Sequence, residues 1–416
     1  MKKFILLLTF SLFISFNSNA QWVQQNSGTS ADMASIKFIN RYTGWACGYG
    51  VILKTTNGGV NWISQNHPAT NKSLMKILPL DSDIVYCVGY FQTILKTING
   101  GINWTAIRNG PFGSGNSFFG MFFLNYNTGW IVGGSPYILK TTNSGNSFDS
   151  IVYLGSNTKD IYFKDLSTGL LCGDVGKIRE STNGGYNWFD ANINLHNQGY
   201  EFKNLSIINN QYVWIIGKQV YNVYKSTDFG SNFDSIGYVN NGFEIYSVRF
   251  INNLTGWCGG GGTASGRMFR TTNGGQAWTR LDTEPSPGYI FDYFFLNDSI
   301  GWSTGGQGKI LFTTNGGISY VRIISTEIPE IFKLFQNYPN PFNQITNIKY
   351  LIAKSSDIRL EINNLLGQKI AVLVNEKQTP GLYDINLDCS AFSSGIYFYR
   401  IQSGDFVQVK RMVLIK

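Results

Sequence analysis

The stretch Lys54-Thr55-Thr56-Asn57-Gly58-Gly59-Val60-Asn61-Trp62 decides the fold, because the chain repeats it. Related segments run from Lys96 to Trp104, Lys140 to Phe148, Glu180 to Trp188, Lys225 to Phe233, Arg270 to Trp278 and Phe312 to Tyr320, seven copies in all. Their second glycines stand at 59, 101, 145, 185, 230, 275 and 317, so successive copies are 42, 44, 40, 45, 45 and 42 residues apart. A period near forty accommodates four short strands, one blade of a β-propeller. Asn-Gly and Gly-Gly between two strands supply the positive φ of a tight hairpin turn. The preceding Thr or Ser offers a hydroxyl to the turn amides, and the Trp or Phe after the turn buries a ring on the sheet.

A second element travels with each turn. It is seen at Thr43-Gly44-Trp45-Ala46-Cys47-Gly48, Thr128-Gly129-Trp130 and Thr255-Gly256-Trp257, with an apolar run such as Ile36–Phe38 upstream. Each unit therefore reads strand a, strand b (Gly-Trp), strand c (Ile-Leu-Lys), turn and strand d. The segment Gln21-Trp22-Val23-Gln24-Gln25-Asn26 resembles Asn61–Asn66, a d-type strand with no blade of its own, which suits ring closure. The last blade then has two candidate d strands, this one and Ile318–Ile323, and the sequence leaves the choice open.

Upstream, Lys2 and Lys3, an apolar run from Phe4 to Phe16 and Ser18-Asn19-Ala20 read as an export signal cleaved after Ala20. No later stretch approaches the ~20 apolar residues of a membrane helix. The formal charge of +8 is spread along the chain, so nucleic-acid binding is not expected. Cys47, Cys87, Cys172 and Cys258 all lie in b strands of separate repeats. They read as small core residues that point away from one another, and no metal or cofactor site is expected.

After Ile323 the pattern changes. Residues 325–336 read as a linker, and 337–416 as about six strands, near 347–352, 358–363, 369–374, 383–387, 396–401 and 407–415. The whole is expected to be all-β: signal peptide 1–20, seven-bladed propeller 21–324, linker 325–336, and a small antiparallel β-sandwich 337–416.

The repeats resemble the Asp-box, or bacterial neuraminidase, repeat, and are most similar to propellers of the photosystem II assembly and stability factor family. The box Asp is Asn57, Asn99, Asn143, Asn183, Asn273 and Asn315 here, with only Asp228 keeping the acid, so the box reads as architecture. Sialidases carry such repeats, but the Phe/Tyr-Arg-Ile-Pro motif that announces one is missing, and His67 and His196 have no triad motif beside them. An enzyme is therefore not expected. The C-terminal segment resembles the type A sorting domain of the type IX secretion system. The resemblance rests on Tyr338-Pro339-Asn340-Pro341-Phe342, Leu366-Gly367-Gln368, Gly381-Leu382-Tyr383, Gly395-Ile396-Tyr397 and the ending from Lys410 to Lys416. It implies recognition by the outer-membrane translocon, and a product that is secreted or held at the cell surface after crossing the periplasm.

The propeller's own role then reads as binding or scaffolding, with a glycan-processing enzyme or an assembly factor for a membrane complex as the alternatives. Irregular loops share the face opposite the Asn-Gly-Gly turns, and rigidly mounted loops are where recognition concentrates. Tyr49, Phe91, Tyr137 and Tyr221 lie in the b–c connections there and form a candidate platform for a glycan or protein ligand. The repeated Lys54, Lys96, Lys140, Lys225 and Arg270 read as solvated strand residues or as a basic ring.

Overall fold

In the computed structural model the described residues are 22–416, apart from 135–136, 154, 194–200, 219, 240–243, 262–265, 282–287, 318–320, 326–328, 344 and 390–391. Every regular element among the described residues is a strand, as the Gly-punctuated, aromatic-rich repeats require. The described chain divides into two compact units, one ending at 317 and one covering 318–416.

The first unit contains seven sheets, one per repeat; five have four strands in sequential antiparallel order, and blades 5 and 7 vary the plan. Blade 1 shows the plan: a is Met33–Phe38, b Gly44–Gly48, c Val51–Thr55 and d Ile63–Ser64. Blade 5 has a fifth strand, Asn192–Ile193, parallel to the start of its d strand. The Asn-Gly-Gly turns fold as their residue types demand. Thr55 Oγ1 accepts the amides of Gly59 at 2.9 Å and Asn57 at 3.3 Å, while Asn57 Oδ1 accepts the amide of Asn61 at 2.9 Å. Asp228 accepts the Asn232 amide in the same way, so Asn and the box Asp do one job. Gly59 itself has φ +90°, with the Gln25 side chain where a Cβ would stand.

Adjacent blades are fastened by one repeated device. In four junctions the b-strand aromatic of one blade stacks on the Phe that ends strand a of the next: Tyr86 on Phe123, Trp130 on Phe163, Trp214 on Phe250 and Trp257 on Phe295, at 3.7–4.3 Å between centroids. Blade 4 carries Leu170 in place of the aromatic, and strand a of blade 2 ends in Leu78-Pro79 with no Phe. Each such pair contributes ~0.5–1.5 kcal/mol beyond its buried area. The same aromatic donates a hydrogen bond to the next blade's turn, as from Trp130 Nε1 to Gly184 O at 3.1 Å and from Trp214 Nε1 to Gly274 O at 2.8 Å. The repeated lysine joins it there. Lys140 Nζ lies 5.3 Å from the Trp130 ring centre and donates to Gly184 O at 3.0 Å, and Lys54 and Lys96 reach the turns of blades 2 and 3 likewise. These cations are therefore neither a basic ring nor merely solvated; they bridge blades. In blade 4, where Glu180 replaces the lysine, Ser231 of blade 5 donates to it at 3.0 Å.

The choice of closing strand is resolved by pairing. Val23–Gln25 pairs with Ile310–Phe312 as the d strand of blade 7. Trp22 is fully buried and meets Phe295 edge-on at 5.8 Å, just as Trp62 meets Phe38 and Trp188 meets Phe163. The ring closes where Phe38 stacks on Trp302 at 3.8 Å and Trp302 Nε1 donates to Gly58 O. The cysteines correct an expectation: Cys47 and Cys87 do not point apart but share one core between blades 1 and 2.

The second unit is a sandwich of two four-stranded sheets around one core that includes Ile348, Tyr350, Leu360, Tyr383, Tyr399 and Leu414. Its long strands match the expected ones to within a few residues, among them Ile345–Ile352, Gly395–Ser403 and Phe406–Leu414. The boundary differs from the expected 324. Val321–Ser325 pairs with Gly381–Asp388 and so belongs to the sandwich, and Lys333–Leu334, within the expected linker, pairs with Tyr350–Leu351. Because the N-terminal strand already fills the edge of blade 7, the run after the last turn is released to the second unit.

Candidate ligand-binding site at the channel mouth

Strand a lines the central channel in all seven blades, and all seven carry a β-bulge near its start, between Met33 and Ser35 in blade 1 and at the equivalent place in the others. A bulge adds one residue to a strand and re-aims its side chain. The residues so placed are Ala34, Met75, Phe119 and Lys159 in blades 1–4, then Lys203, Tyr246 and Phe291 in blades 5–7. All seven line one cavity of about 700 Å³, together with Tyr49 and Tyr90 from the b–c connections.

Around the mouth these side chains make a horseshoe. Tyr90 meets Phe119 edge-on at 6.1 Å, and Lys159 Nζ lies 4.4 Å from the Phe119 ring centre. Lys159 and Lys203 both pair with Glu201, at 3.0 and 2.7 Å, and Lys159 also pairs with Asp174 at 3.2 Å. Lys203 Nζ lies 5.8 Å from the Tyr246 ring centre, and Tyr246 packs against Tyr289 and Phe291. Two aromatic walls, from blades 2–3 and blades 6–7, thus face each other with a zipped ion cluster between them. Blade 1 leaves the gap, because its bulge residue is the small Ala34.

Deeper in the channel lie Ser35, Lys37, Lys76, Asp160, Arg249 and Asp292. Asp292 accepts from Ser35 Oγ and Lys37 Nζ, both at 2.9 Å, and Lys76 stands 3.7 Å from Asp160. Burial pushes the Asp292 carboxyl up, but Lys37 and Lys76 outweigh it and hold it below its ordinary value. Burial likewise pushes Lys76 down, yet Asp160 and Asp292 leave it above its ordinary value, while for Lys37 desolvation prevails. At the mouth, burial raises Glu201, but Lys203 and Lys159 overcome it and hold the carboxyl at about 2.

Of the four platform residues expected, Tyr49 is exposed at the mouth. Phe91 turns aside with φ 56° and packs on Phe112 at 4.7 Å, leaving Tyr90 in the cavity. Tyr137 and Tyr221 stand in the c strands of blades 3 and 5, and their side chains lie outside those described. Sequence reasoning missed the bulge residues, since a bulge shows only in the pairing of two strands.

Two of the sorting motifs, Tyr338–Phe342 and the C-terminal ending, come together at one edge of the sandwich beside the strand that starts at Gly395, whereas Gly381 pairs with Ile352 toward the other end of its strand. The peptide bonds before Pro339 and Pro341 are cis, Asn340 Oδ1 accepts the Val413 amide at 2.9 Å, and Phe342, buried, bonds along its backbone to Val413 and Ile415. The motif from Tyr338 to Phe342 is therefore zipped to the ending that follows Lys410. Gly395 opens the strand pairing with that ending, Tyr397 Oη donates to Ser393 O, and the Lys416 amide bonds to Ser394 Oγ. Gly367 makes the turn that displays Leu365 and Leu366 to solvent.

Residues 336–416 match the family model described as the secretion system C-terminal sorting domain. That assigns the second unit: the chain is exported, to the cell surface or beyond. Residues 152–241 match the model of the photosynthesis system II assembly factor YCF48. Among solved structures the chain is similar to YCF48 from Cyanidioschyzon merolae, with 19% identity over 71% of this chain and 99% of that one, at a TM-score of 0.58. YCF48 bound to D1 peptide gives 18% identity, 71% and 97% coverage and a TM-score of 0.58. The GH74 xyloglucanase from Xanthomonas campestris gives 11% identity, covering 79% of this chain and 59% of the enzyme, at a TM-score of 0.56. At these identities the likeness is one of fold. Among curated proteins none matches.

Proposed function

We propose that the sorting sandwich delivers the propeller through the type IX machinery, and that the propeller then works outside the cell as a binding protein whose ligand sits in the channel mouth. The observation that carries this reading is the set of seven bulges, which turn a ring of side chains into one cavity walled by Tyr90 and Phe119 on one side and Tyr246 and Phe291 on the other. The ammonium and carboxylate groups between the walls are already paired with one another, so a charged ligand gains little there. An uncharged ligand with flat apolar faces and hydroxyl edges, a neutral glycan, matches both the rings and the polar cluster. An uncharged peptide segment is the second class, because a propeller of the same fold is described with a bound peptide.

A binding role is favoured over hydrolysis. Glycoside cleavage uses a carboxyl raised toward neutrality as its acid, whereas Glu201 and Asp292 are both held low by their lysines.

The test is a screen of the purified protein against neutral oligosaccharides and peptides, with the affinity of any hit measured for wild type, the Tyr246→Ala/Phe291→Ala double variant, and Phe189→Ala on an exposed d strand as control. The double variant is expected to lose at least about tenfold in affinity while the control binds as wild type, since each ring is a stacking surface of ~1 kcal/mol or more. Unchanged binding by the double variant would place the ligand elsewhere.

A further inference from the structure

Strand register gives the b-strand cysteines an orientation that their spacing conceals. Gly48, Gly89, Gly173 and Gly260 are equivalent, since they pair with Met33, Leu74, Thr158 and Ile245 at the bulged start of strand a. Cys47 and Cys172 stand one residue before this glycine, whereas Cys87 and Cys258 stand two before it. Side chains alternate along a strand, so the two sets face opposite ways. Cys47 shares the face of Trp45 and looks toward blade 2, and Cys87 looks back toward blade 1. Cys172 packs with Phe202 and Leu205 of blade 5, and Cys258 with Trp214 and Val223 on the other side of that blade, so these two are separated by a whole sheet.

Cys47 and Cys87 are both fully buried in one cluster with Trp45, Leu74, Ile77 and Leu95. Cys47 Sγ lies 3.7 Å from Leu74 O, on the strand beside Cys87's own. Burial first, and the Cys47 thiol facing it second, push the Cys87 thiol well above its ordinary value.

We propose that Cys47 and Cys87 are a disulfide site that joins blade 1 to blade 2 in the exported protein. The compartments an exported chain crosses are oxidising. The bond forms by exchange: one cysteine thiolate attacks the disulfide of a periplasmic thiol oxidase, and the second attacks the resulting mixed disulfide. Two electrons pass to the oxidase, and the two protons lost by the cysteine thiols are taken up, by way of solvent, by the two oxidase sulfurs, so that it leaves as its dithiol. Because both sulfurs are sealed in the finished junction, the exchange belongs to the stage of folding at which blade 2 is settling on blade 1.

The experiment uses full chain recovered from the medium or surface of its host, alkylated without reduction and digested with trypsin. The expected product is a disulfide-linked pair of peptides 42–54 and 77–96, lost in Cys47→Ala and in Cys87→Ala. On reduction, Tm is expected to fall by roughly 5–10 °C in wild type and not in either variant, from the usual effect of closing a loop of this size. Alkylated Cys47 and Cys87, a link through another cysteine, or a linked protein whose Tm ignores reduction would each overturn the assignment.

Discussion

Glu201 shows how much of the channel mouth hangs on one side chain. It accepts from Lys203 at 2.7 Å and Lys159 at 3.0 Å, and each of those lysines lies over a ring of the aromatic horseshoe. Its carboxyl is held at about 2 in the fold, against an ordinary value of 4.5. A depressed carboxyl contributes stability that is fully present above the unfolded value and is lost as pH falls toward the folded one. Urea midpoints measured from pH 6 to pH 2.5 are therefore expected to fall between about 4.5 and 2.5 in wild type, and to fall less steeply in Glu201→Gln. Identical slopes would mean the ion cluster is not holding the mouth. Little of this was legible beforehand. Lys159 and Lys203 sit in strands a without any motif, and only the bulges bring them to one place. The four residues singled out from the b–c connections were a fair guess at the right face, yet the positive φ of Phe91 turns that ring aside and gives its place to Tyr90.

At the scale of the element, the blade was readable because its turn chemistry is stringent. Thr55, Asn57 and Gly59 each perform the one task their type allows; the copies at Thr97, Thr141 and Thr271 repeat it bond for bond, and Thr313 repeats the hydroxyl bond to the second glycine. The fastening between blades was harder to read, because it joins residues roughly thirty to sixty positions apart. Trp130 makes two separable contributions there, a stack on Phe163 at 3.7 Å and a hydrogen bond to Gly184 O. Trp130→Phe keeps a ring and loses the donor, leaving Gly184 O to Lys140; it is expected to cost about 1–2 kcal/mol in denaturant unfolding. Trp130→Ala removes both and is expected to cost ~3–5 kcal/mol. Equal losses in the two variants would show that stacking contributes nothing. The repeated lysine was misjudged for the same reason: from sequence it is an exposed strand residue, and only the neighbouring blade shows what it bonds to.

The molecule as a whole joins two tasks in sequence order, a ring that carries a cavity and a sandwich that carries an address. The period announced the ring, and the resemblance carried by Tyr338–Phe342 and the ending from Lys410 to Lys416 announced the address. The junction at 317 rather than 324 was not announced, because Val321–Ser325 reads as a strand in either unit and its sheet is decided by which edge is open. Trp22 and Val23–Gln25 fill the blade 7 edge, so Val321–Ser325 pairs with Gly381–Asp388 instead. A chain ending at Gly317 therefore keeps every strand of the ring, and should unfold in one cooperative transition like the propeller of the full protein.

That truncation also allows the most direct test of the division of labour. Full-length protein and the chain ending at Gly317 would be expressed in the native host, and periplasm, surface and medium assayed by quantitative mass spectrometry of propeller peptides. The full chain is expected at the surface or in the medium, and the truncated one, folded, in the periplasm. Equal export of the two would contradict the assignment of residues 318–416 as the address.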